Sequence, residues 1–298
     1  MNPCRIVCIA LAATLLSAWP ALGQYNENAG RNRAERQDEA AKAQPGIGGY
    51  QPIEHDVDGH GNAAGNRFDL AVDGAFEGQT IGVLHFCLEF DFSLPKAAVE
   101  EKGFSVYRWI GGPPSPEELR EGLAKCCQLW IVSGTARLLN DEHLEVIKDF
   151  FLSGRGLYVW GDNDPYYADA NVVAEALFDT SMSGNLPGGR PVGISEGEGR
   201  PGIVANHLLS TGLENVFEGI TIATLRPAPG LKPLIYGSEG NLVAAYWEED
   251  GRRAIFDGGF TRLYCGWETA GTSRYVKNAA AWLANYERFG DAVVAGDD

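Results

Sequence analysis

The sequence predicts a three-layer α/β domain in which a mostly parallel sheet carries helices on both faces. From residue 80 onward, short apolar runs alternate with amphipathic segments, and the joints between them are short. Strand and helix in alternation form parallel strands with crossover helices, and strands covered on both faces are apolar along their whole length. The alternation is lost in the C-terminal half, where we expect additional strands.

Four apolar runs in the first half predict parallel strands, and three amphipathic segments between them predict helices. The strands are TIGVLHF at 80–86, FSVYRWI at 104–110, QLWIVSG at 128–134 and GLYVWGD at 156–162. The helices span 94–103, 115–126 and 140–154. The middle helix has the clearest start, because Ser115 is an N-cap, Pro116 takes the first helical position and Glu118 completes a capping box.

The second half predicts three further strands and a closing helix. The strands are LKPLIYG at 231–237, LVAAYWE at 242–248 and RRAIFDGG at 252–259. The tripeptide EDG between the last two strands indicates a hairpin. Residues 273–290 place apolar side chains on one helical face, which predicts an amphipathic helix at the end of the domain.

Composition divides the chain into four parts. Residues 1–23 have the layout of a secretory signal peptide, with a positive charge, an apolar run too short for a confident membrane span, and small residues near the end. Residues 24–79 are polar and glycine-rich, which predicts a disordered leader or linker. Residues 80–290 form the single α/β domain, and residues 291–298 a disordered tail. We therefore expect an exported protein, periplasmic or extracellular, with no membrane span in the mature chain.

Charge and cysteine content narrow the classes of partner. The formal net charge is −16, and no basic cluster offsets it, so the sequence excludes nucleic-acid binding. Two of the six cysteines lie in the signal peptide. The other four, Cys87, Cys126, Cys127 and Cys265, lack the spacing of a metal site. They fit either disulfides in an oxidising compartment or plain buried thiols.

The candidate site follows from the predicted sheet, because ligands of such folds bind beyond the carboxyl ends of the strands. Acidic residues dominate the positions that fall there. These positions are His85, Cys87, Glu89, Asp91, Ser133, Gly134, Asp162 to Asp164, and Asp257 to Arg262. The sequence therefore predicts an acidic rim with one histidine and one arginine.

Two of the predicted strands carry a resemblance to a known superfamily. QLWIVSG, followed by a helix and then by GLYVWGDNDP, resembles the class I glutamine amidotransferase-like superfamily, whose sheet is flavodoxin-like. In that superfamily a Ser-Gly loop helps to form an oxyanion hole, and a Gly-x-Cys-x-Gly elbow holds the nucleophile. The resemblance places Ser133 and Gly134 at that loop, Gly161 at the first elbow glycine, and Asn163 at the position of the nucleophile.

The chain departs from the superfamily at its catalytic residues. Asn163 cannot attack an amide, and the region where His-Pro-Glu would stand, residues 254–271, contains no histidine. The Cys-His-Glu triad therefore has no members here, and we expect no glutamine amidotransferase activity. The chain is most similar to branches that keep the sheet and lack the triad, including trehalose-utilisation-like and uncharacterised exported bacterial proteins.

The stretch VWGDNDPYYADAN, residues 159–171, has three interpretations. In the first, Asp164 caps a helix that starts at Pro165, or Asp169 and Asn171 cap the next turn. In the second, hard oxygen ligands hold Ca²⁺ or Mg²⁺, supplied by Asp162, Asp164, Asp169 and Asp257. In the third, carboxylates and the neighbouring aromatic rings of Trp160, Tyr166 and Tyr167 bind a polar ligand such as a sugar.

The functional prediction is a protein that binds a small polar ligand or an envelope protein at its acidic rim, without a cofactor other than the divalent ion of the second interpretation. The predicted ligand-binding residues are Ser133, Gly134, Gly161, Asp162, Asn163, Asp164, Tyr166, Asp257 and Arg262. The alternative is a cell-envelope hydrolase that acts on a saccharide with Asp162 or Asp164. Of the histidines, His85 is expected in the core and His143 on the surface.

Overall fold

An eight-stranded sheet forms the centre of the molecule. The computed structural model describes residues 24–26, 29, 56–268 and 270–289. The first four strands are β1 (Thr80–His85), β2 (Ser105–Ile110), β3 (Gln128–Val132) and β4 (Gly156–Trp160). The later ones are β5 (Met182–Pro187), β6 (Pro191–Val192), β7 (Gly202–Ile203), β8 (Val216–Phe217), β9 (Thr221–Leu225), β10 (Leu231–Tyr236), β11 (Leu242–Glu249) and β12 (Arg252–Asp257).

The order of strands in the main sheet is β2-β1-β3-β4-β12-β11-β10-β7. The first five strands of this order pair in parallel, and β11, β10 and β7 continue the sheet in antiparallel pairs. In chain order the parallel strands run 2-1-3-4-5, which is the flavodoxin-like arrangement. The predicted mostly parallel α/β fold is thus confirmed, together with its additional C-terminal strands.

Helices cover both faces of the sheet and enclose two hydrophobic cores. The helices are α1 (Ser93–Glu101), α2 (Pro116–Leu123), α3 (Asp141–Leu152), α4 (Ala168–Phe178), α5 (Thr272–Leu283) and α6 (Tyr286–Phe289). Side chains of α1 and α5 belong to one core, and those of α2, α3 and α4 belong to the other. Burial of apolar side chains on both faces is the main favourable contribution to folding of such a layered domain.

Local signals in the sequence account for most element boundaries. The capping box of α2 is present, with Ser115 Oγ accepting from the Glu118 N–H at 3.2 Å. The hairpin between β11 and β12 turns through Asp250 and Gly251, both at positive φ. The closing helix is shorter than predicted, because Asn285 adopts a left-handed conformation that separates α5 from α6.

The predicted domain boundary at residue 80 differs from the structure, which places residues 56–79 against the domain. Phe68, Leu70 and Phe76 are buried in it. The buried Asp69 carboxylate pairs with three cations, Lys102 at 2.9 Å, Arg274 at 2.8 Å and Lys277 at 2.9 Å. A charge buried with partners from α5 and the end of α1 is incompatible with a disordered linker. Residues 27–28 and 30–55 of the predicted leader, the signal peptide and the tail at 291–298 lie outside the described residues.

Two further predictions are settled by burial. All four cysteines after the predicted signal peptide are free thiols, which agrees with the second of the two interpretations, plain thiols without disulfides. His143 is buried instead of lying on the surface, because its ring closes a capping box with Asn140 and contacts Pro114 O at 2.8 Å. Within the described ranges, none of the helices has both the length and the apolar character needed to cross a membrane.

Candidate functional site

The carboxyl ends of the parallel strands lead into three turns that meet at one edge of the sheet. We call these turns the rim; they comprise residues 86–92 after β1, 161–167 after β4 and 258–265 after β12. The last two are joined by backbone bonds, since the Gly161 N–H donates to Asp257 O at 2.8 Å and the Phe260 N–H donates to Gly161 O at 3.0 Å. The predicted position of the site beyond the strand ends therefore corresponds to a continuous surface.

Asp162 lies beneath this surface and is fully buried. Its Oδ1 accepts from the Asn163 N–H at 2.9 Å, and its Oδ2 accepts from the Thr261 N–H at 2.7 Å. Burial raises the pKa of this carboxyl to about 7, against the lowering effect of the two backbone donors. Oδ2 therefore joins the turn after β4 to the turn after β12, and Oδ1 is bonded within its own turn, so both oxygens of this buried side chain are used by the chain itself.

Ser133 is also buried, and its hydroxyl caps a helix that lies far ahead in the chain. Ser133 Oγ accepts from the N–H groups of Asp169 at 3.0 Å and Ala170 at 3.2 Å, in the first turn of α4. These amides would otherwise lack partners at the helix N-terminus. The predicted oxyanion-loop serine thus stabilises α4, and its neighbour Gly134 is buried against the backbone of Phe86.

Asp257 and Arg262 form a fully buried ion pair under the turn after β12. Arg262 Nη2 lies 3.1 Å from Asp257 Oδ1 and donates to Glu218 O at 2.9 Å. The hydroxyl of Tyr275 donates to Asp257 Oδ2 at 2.9 Å. Burial raises the pKa of Asp257, and the Arg262 guanidinium opposes that rise. Both predicted ligand-binding residues therefore support the rim from below without being exposed on it.

The elbow after β4 lacks the backbone geometry of a nucleophile elbow. Such elbows hold their residue in a strained turn that leads directly into a helix. Asn163 is absent from the non-glycine residues with positive φ in the described chain, and α4 begins only at Ala168. Gly161 is required here by packing, because a Cβ would lie 2.4 Å from Met182 Sδ. The peptide bond between Asp164 and Pro165 is cis.

The helix-cap interpretation of residues 159–171 is wrong. The N-cap residue of α4 is Tyr167, which makes no side-chain capping bond. The carboxylate of Asp169 instead accepts from the N–H groups of Leu138 and Leu139, each at 2.8 Å. Asn171 binds the backbone of Met182. Asp169 and Asn171 therefore connect this stretch to other segments of the chain, whereas the side chains of Asn163 and Asp164 bond locally.

The described residues do not support the divalent-ion interpretation. Within residues 24–26, 29, 56–268 and 270–289, no three His, Cys, Asp or Glu side chains are grouped closely enough to hold a metal ion. Asp162 and Asp169 are buried and committed to backbone donors of different loops. Asp164 is exposed and accepts from the Tyr167 hydroxyl at 3.0 Å.

The exposed chemistry of the rim consists of carboxylates beside tyrosines. The hydroxyl of Tyr166 donates to Glu89, and this bond raises the pKa of Tyr166 to about 12. Tyr167 and Asp164 form the second such pair. Because Glu89 and Asp164 are exposed, each keeps oxygen lone pairs that face solvent.

Aromatic rings that were not predicted as site residues complete the rim. Phe90 stacks on Tyr264 with ring centroids 4.7 Å apart, and Tyr166 packs edge-on to Phe260 at 5.9 Å. Trp160, which was predicted to bind a ligand, is fully buried under the sheet end. The run of aromatic residues in FCLEFDF, 86–92, was the available signal for Phe90.

His85 lies in the core beside this edge, as predicted. Its ring is buried between Phe90 and Phe92, and its Nδ1 faces Arg108 Nη1 at 3.2 Å. Burial, with a smaller contribution from the Arg108 charge, lowers the pKa of His85 to about 4. A neutral, buried imidazole accepting from a guanidinium positions the turn after β1, and it is a poor general base near neutral pH.

Fold and site together define a flavodoxin-like α/β protein with an acidic, aromatic rim, and comparison with known proteins adds likeness at the level of the fold. No family model matches the chain, and no curated protein matches it. The chain is similar to a GMP synthase-like protein from Thermoplasma acidophilum, with 12% identity, a TM-score of 0.47, and 71% of this chain and 97% of that chain covered. It is also similar to a ThuA-like protein from Parabacteroides merdae, with 11% identity, a TM-score of 0.44, and 70% and 90% covered.

A third likeness involves a much larger protein. An exo-β-1,4-mannosidase from Opitutaceae bacterium strain TAV5 matches with 12% identity and a TM-score of 0.40, over 70% of this chain. The chain spans only 36% of the length of that mannosidase.

Proposed function

We propose that the protein is an exported member of the class I glutamine amidotransferase-like fold that has no amidotransferase activity and binds a small polar ligand at its acidic, aromatic rim. It belongs, in this proposal, with the trehalose-utilisation-like branches that keep the sheet without the triad. The ligand class is a hydroxyl-rich molecule such as a saccharide.

The observation that carries the proposal is that the elbow after β4 lacks the residues of an amidotransferase. Asn163, which the resemblance places at the nucleophile position, does not have the positive φ of a strained elbow residue, and residues 254–271 supply no histidine. Ser133, at the position of the oxyanion loop, caps α4, and the neighbouring Asp162 joins two turns, so both side chains are committed to structure. Nothing at the elbow supports covalent catalysis, which leaves binding as the best-supported activity.

The exposed side chains of the rim support a hydroxyl-rich ligand. Carboxylates accept hydrogen bonds from sugar hydroxyls, and aromatic faces pack against the C–H surface of a sugar ring. Glu89 with Tyr166, and Asp164 with Tyr167, supply polar groups on the turns after β1 and β4. Phe90 of the turn after β1 and Tyr264 of the turn after β12 stack on each other and supply the apolar surface.

Export is part of the proposal and is supported by the sequence of residues 1–23. N-terminal sequencing of the protein recovered from a secreting host tests it, with a mature start near Gln24 as the expected result. Recovery of the intact N-terminus from the cytoplasm would contradict export without bearing on ligand binding.

The alternative, a cell-envelope hydrolase, is favoured by one observation. A carboxyl whose pKa is near 7 suits a general acid, and burial gives Asp162 that value. Asp164 would then be the exposed carboxylate at the reaction centre, with or without a divalent ion. Against this stands the use of both Asp162 oxygens by backbone donors.

Titration of neutral mono- and disaccharides into the protein, followed by calorimetry and NMR, tests binding. We expect Tyr166→Phe and Glu89→Gln each to weaken affinity about fivefold or more at an unchanged melting temperature, since each removes one hydrogen-bonding group. The matched control is Glu100→Gln, an exposed carboxylate in the last turn of α1. Equal affinity in all variants, or no saccharide that binds, would contradict the proposal. Product release from nitrophenyl glycosides that is lost in Asp164→Asn would favour the hydrolase.

A further inference from the structure

The two edges of the main sheet are built differently. Within the described part of the chain, β7 forms one edge and is only two residues long. The other edge is β2, which is six residues long and pairs with β1 alone. Very short edge strands are one way in which proteins prevent unwanted pairing. The β7 edge is therefore too short to pair well with another strand, whereas the β2 edge is long enough to do so.

The backbone of β2 presents a regular set of groups to solvent. The Ser105 N–H donates to Gln79 O at 2.8 Å, and the Gly111 N–H donates to His85 O at 2.9 Å. Since alternate residues of a parallel strand bond to the same neighbour, the odd-numbered residues of β2 face β1. The N–H and C=O groups of Val106, Arg108 and Ile110 consequently point outward along the open edge.

The β2 edge lacks the usual features that block pairing. Its sequence, SVYRWI, contains no proline, no lysine and one arginine. That arginine is turned back to its own chain, where Arg108 Nη1 donates to Asp91 O at 2.7 Å and contacts His85 Nδ1. Tyr107 and Ile110 remain 54% and 58% exposed, so apolar side chains line the edge on both faces.

A groove of about 590 Å³ runs along β2 on the side of α2. Its walls include Tyr107 and Trp109, whose rings meet edge to face at 4.9 Å, and Glu118 and Glu121 of the helix. The ring of Trp109 lies directly on Gly122, where a Cβ would be 2.5 Å away. Glycine inside a helix destabilises it by about 1 kcal/mol relative to alanine, and here the glycine allows the Trp109 ring to form the wall of the groove.

We propose that this edge is a docking site at which an extended, basic segment of a partner protein adds a strand to β2. Its backbone pairs with Val106, Arg108 and Ile110, and alternate side chains enter the groove over Tyr107 and Trp109, as in other cases of strand addition. A segment of alternating apolar and basic residues fits both surfaces.

Charge determines which occupant is favoured. The protein carries a formal net charge of −16, and the groove is lined by Glu118 and Glu121 of α2 against one lysine, Lys125. A second copy pairing through β2 about a two-fold axis would bring the same glutamates towards one another. Lysine or arginine side chains of a partner segment instead meet opposite charge, which favours docking and its rate.

The test uses a blocked peptide of about eight residues in which valine and lysine alternate, and the same peptide with glutamate in place of lysine. NMR hydrogen exchange on the whole protein reports individual amides. We expect the lysine peptide to slow exchange at Val106, Arg108 and Ile110 about tenfold or more, and to leave Tyr107 and Trp109 unchanged because their amides already bond to β1. The glutamate peptide should bind at least about tenfold more weakly.

Two variants at one position separate the backbone from the side chain. Ile110→Pro removes an outward N–H without touching the bonds to β1 and should weaken the lysine peptide about fivefold or more, whereas Ile110→Ala keeps the N–H and should retain most of the affinity. Circular dichroism and the melting temperature serve as the control that both variants are folded. Absence of binding, equal binding of both peptides, or binding without protection of the three outward amides would overturn the proposal. So would a wild-type dimer that Ile110→Pro converts to a monomer, since the occupant would then be a second copy.

Discussion

The carboxylate of Asp162 accepts a hydrogen bond from the backbone N–H of Thr261 at 2.7 Å, across 99 residues of sequence. This bond joins the turn after β4 to the turn after β12, and it does so with a buried group that titrates near neutrality. The side chain that makes this link is fully out of contact with solvent.

Asp162 predicts a pH dependence of stability. Its pKa is raised to about 7 by burial, against about 3.9 for an unfolded aspartate, so the folded state binds more protons between these values. The free energy of unfolding should fall as the pH rises from about 4 to 7, by up to about 1.4 kcal/mol per pH unit. Asp162→Asn should make this slope shallower, since the contribution of Asp162 is lost, and urea unfolding at several pH values measures it. Asp141→Asn, at a 94% exposed side chain, is the control and should keep the wild-type slope. Parallel curves for wild type and Asp162→Asn would rule the effect out.

The buried pair of Asp257 and Arg262 predicts a large loss of stability when one partner is removed. Arg262→Met leaves the carboxylate of Asp257 without its cation and should lower the free energy of unfolding by about 3–5 kcal/mol. Asp257→Asn combined with Arg262→Met should restore part of that loss, because no buried charge then remains. Urea unfolding provides the comparison, and a loss below about 1 kcal/mol in the single variant would show that the pair contributes little.

Ser133 predicts a smaller and purely structural effect. Its hydroxyl accepts from two N–H groups in the first turn of α4, so Ser133→Ala should destabilise the protein by about 1 kcal/mol, as loss of an N-cap does. Saccharide affinity should not change. Thr135→Ala, two residues further along the same loop and exposed, should leave the melting temperature within error. A loss of affinity in Ser133→Ala at full stability would instead restore the predicted ligand contact.

The N-terminal segment predicts that the domain cannot begin at residue 80. A chain that starts at residue 56 retains Asp69 and its three cationic partners, Lys102, Arg274 and Lys277. A chain that starts at residue 80 leaves those cations unpaired and exposes the surfaces that Leu70 and Phe76 cover. We expect the shorter chain to be insoluble or to melt at least about 10 °C lower, since several kcal/mol of contacts are lost. Equal melting temperatures would show that residues 56–79 are dispensable.

The elbow predicts that a cysteine alone does not create amidotransferase activity. Asn163→Cys supplies the nucleophile, yet the backbone there is not in the strained conformation of an elbow, and residues 254–271 provide no histidine to activate it. Ammonia release from glutamine should stay at the level of a heat-inactivated sample in both wild type and variant. Turnover in the variant above that level would mean that the triad has substitutes elsewhere.

Local patterns were sufficient to predict most of the main sheet and of its helices, but not the edge strand β7 or the helix α4. The capping box of α2, the apolar runs of β1 to β4 and the EDG turn are signals within a few residues, and the structure contains each of them. The segment around Asp69 was misread because its polar residues suggested solvation. Asp69 pairs with Arg274, which lies 205 residues further along the sequence. A local sequence pattern contains no information about a partner so far away in the chain.

The structure places the predicted site residues at the strand ends, as expected, but several of them lie beneath the surface instead of on it. Ser133, Asp162, Asp257 and Arg262 have the residue types of a binding site, yet all four are buried and bonded to the chain itself. Sequence gives the type of a side chain and its place on an element. Whether a side chain at a strand end is exposed on the rim or buried beneath it depends on how turns from different parts of the chain pack together. The turns that bring Phe90 onto Tyr264 are an example.

The unequal edges of the sheet limit how far these molecules can assemble. Because β7 ends the sheet after two residues, a strand that adds at β2 finds no second acceptor on the far side. Filaments grow when each molecule offers two complementary surfaces, one at either end. Association through this sheet therefore stops after a single addition, so each molecule takes up one partner segment where an evenly edged sheet would polymerise.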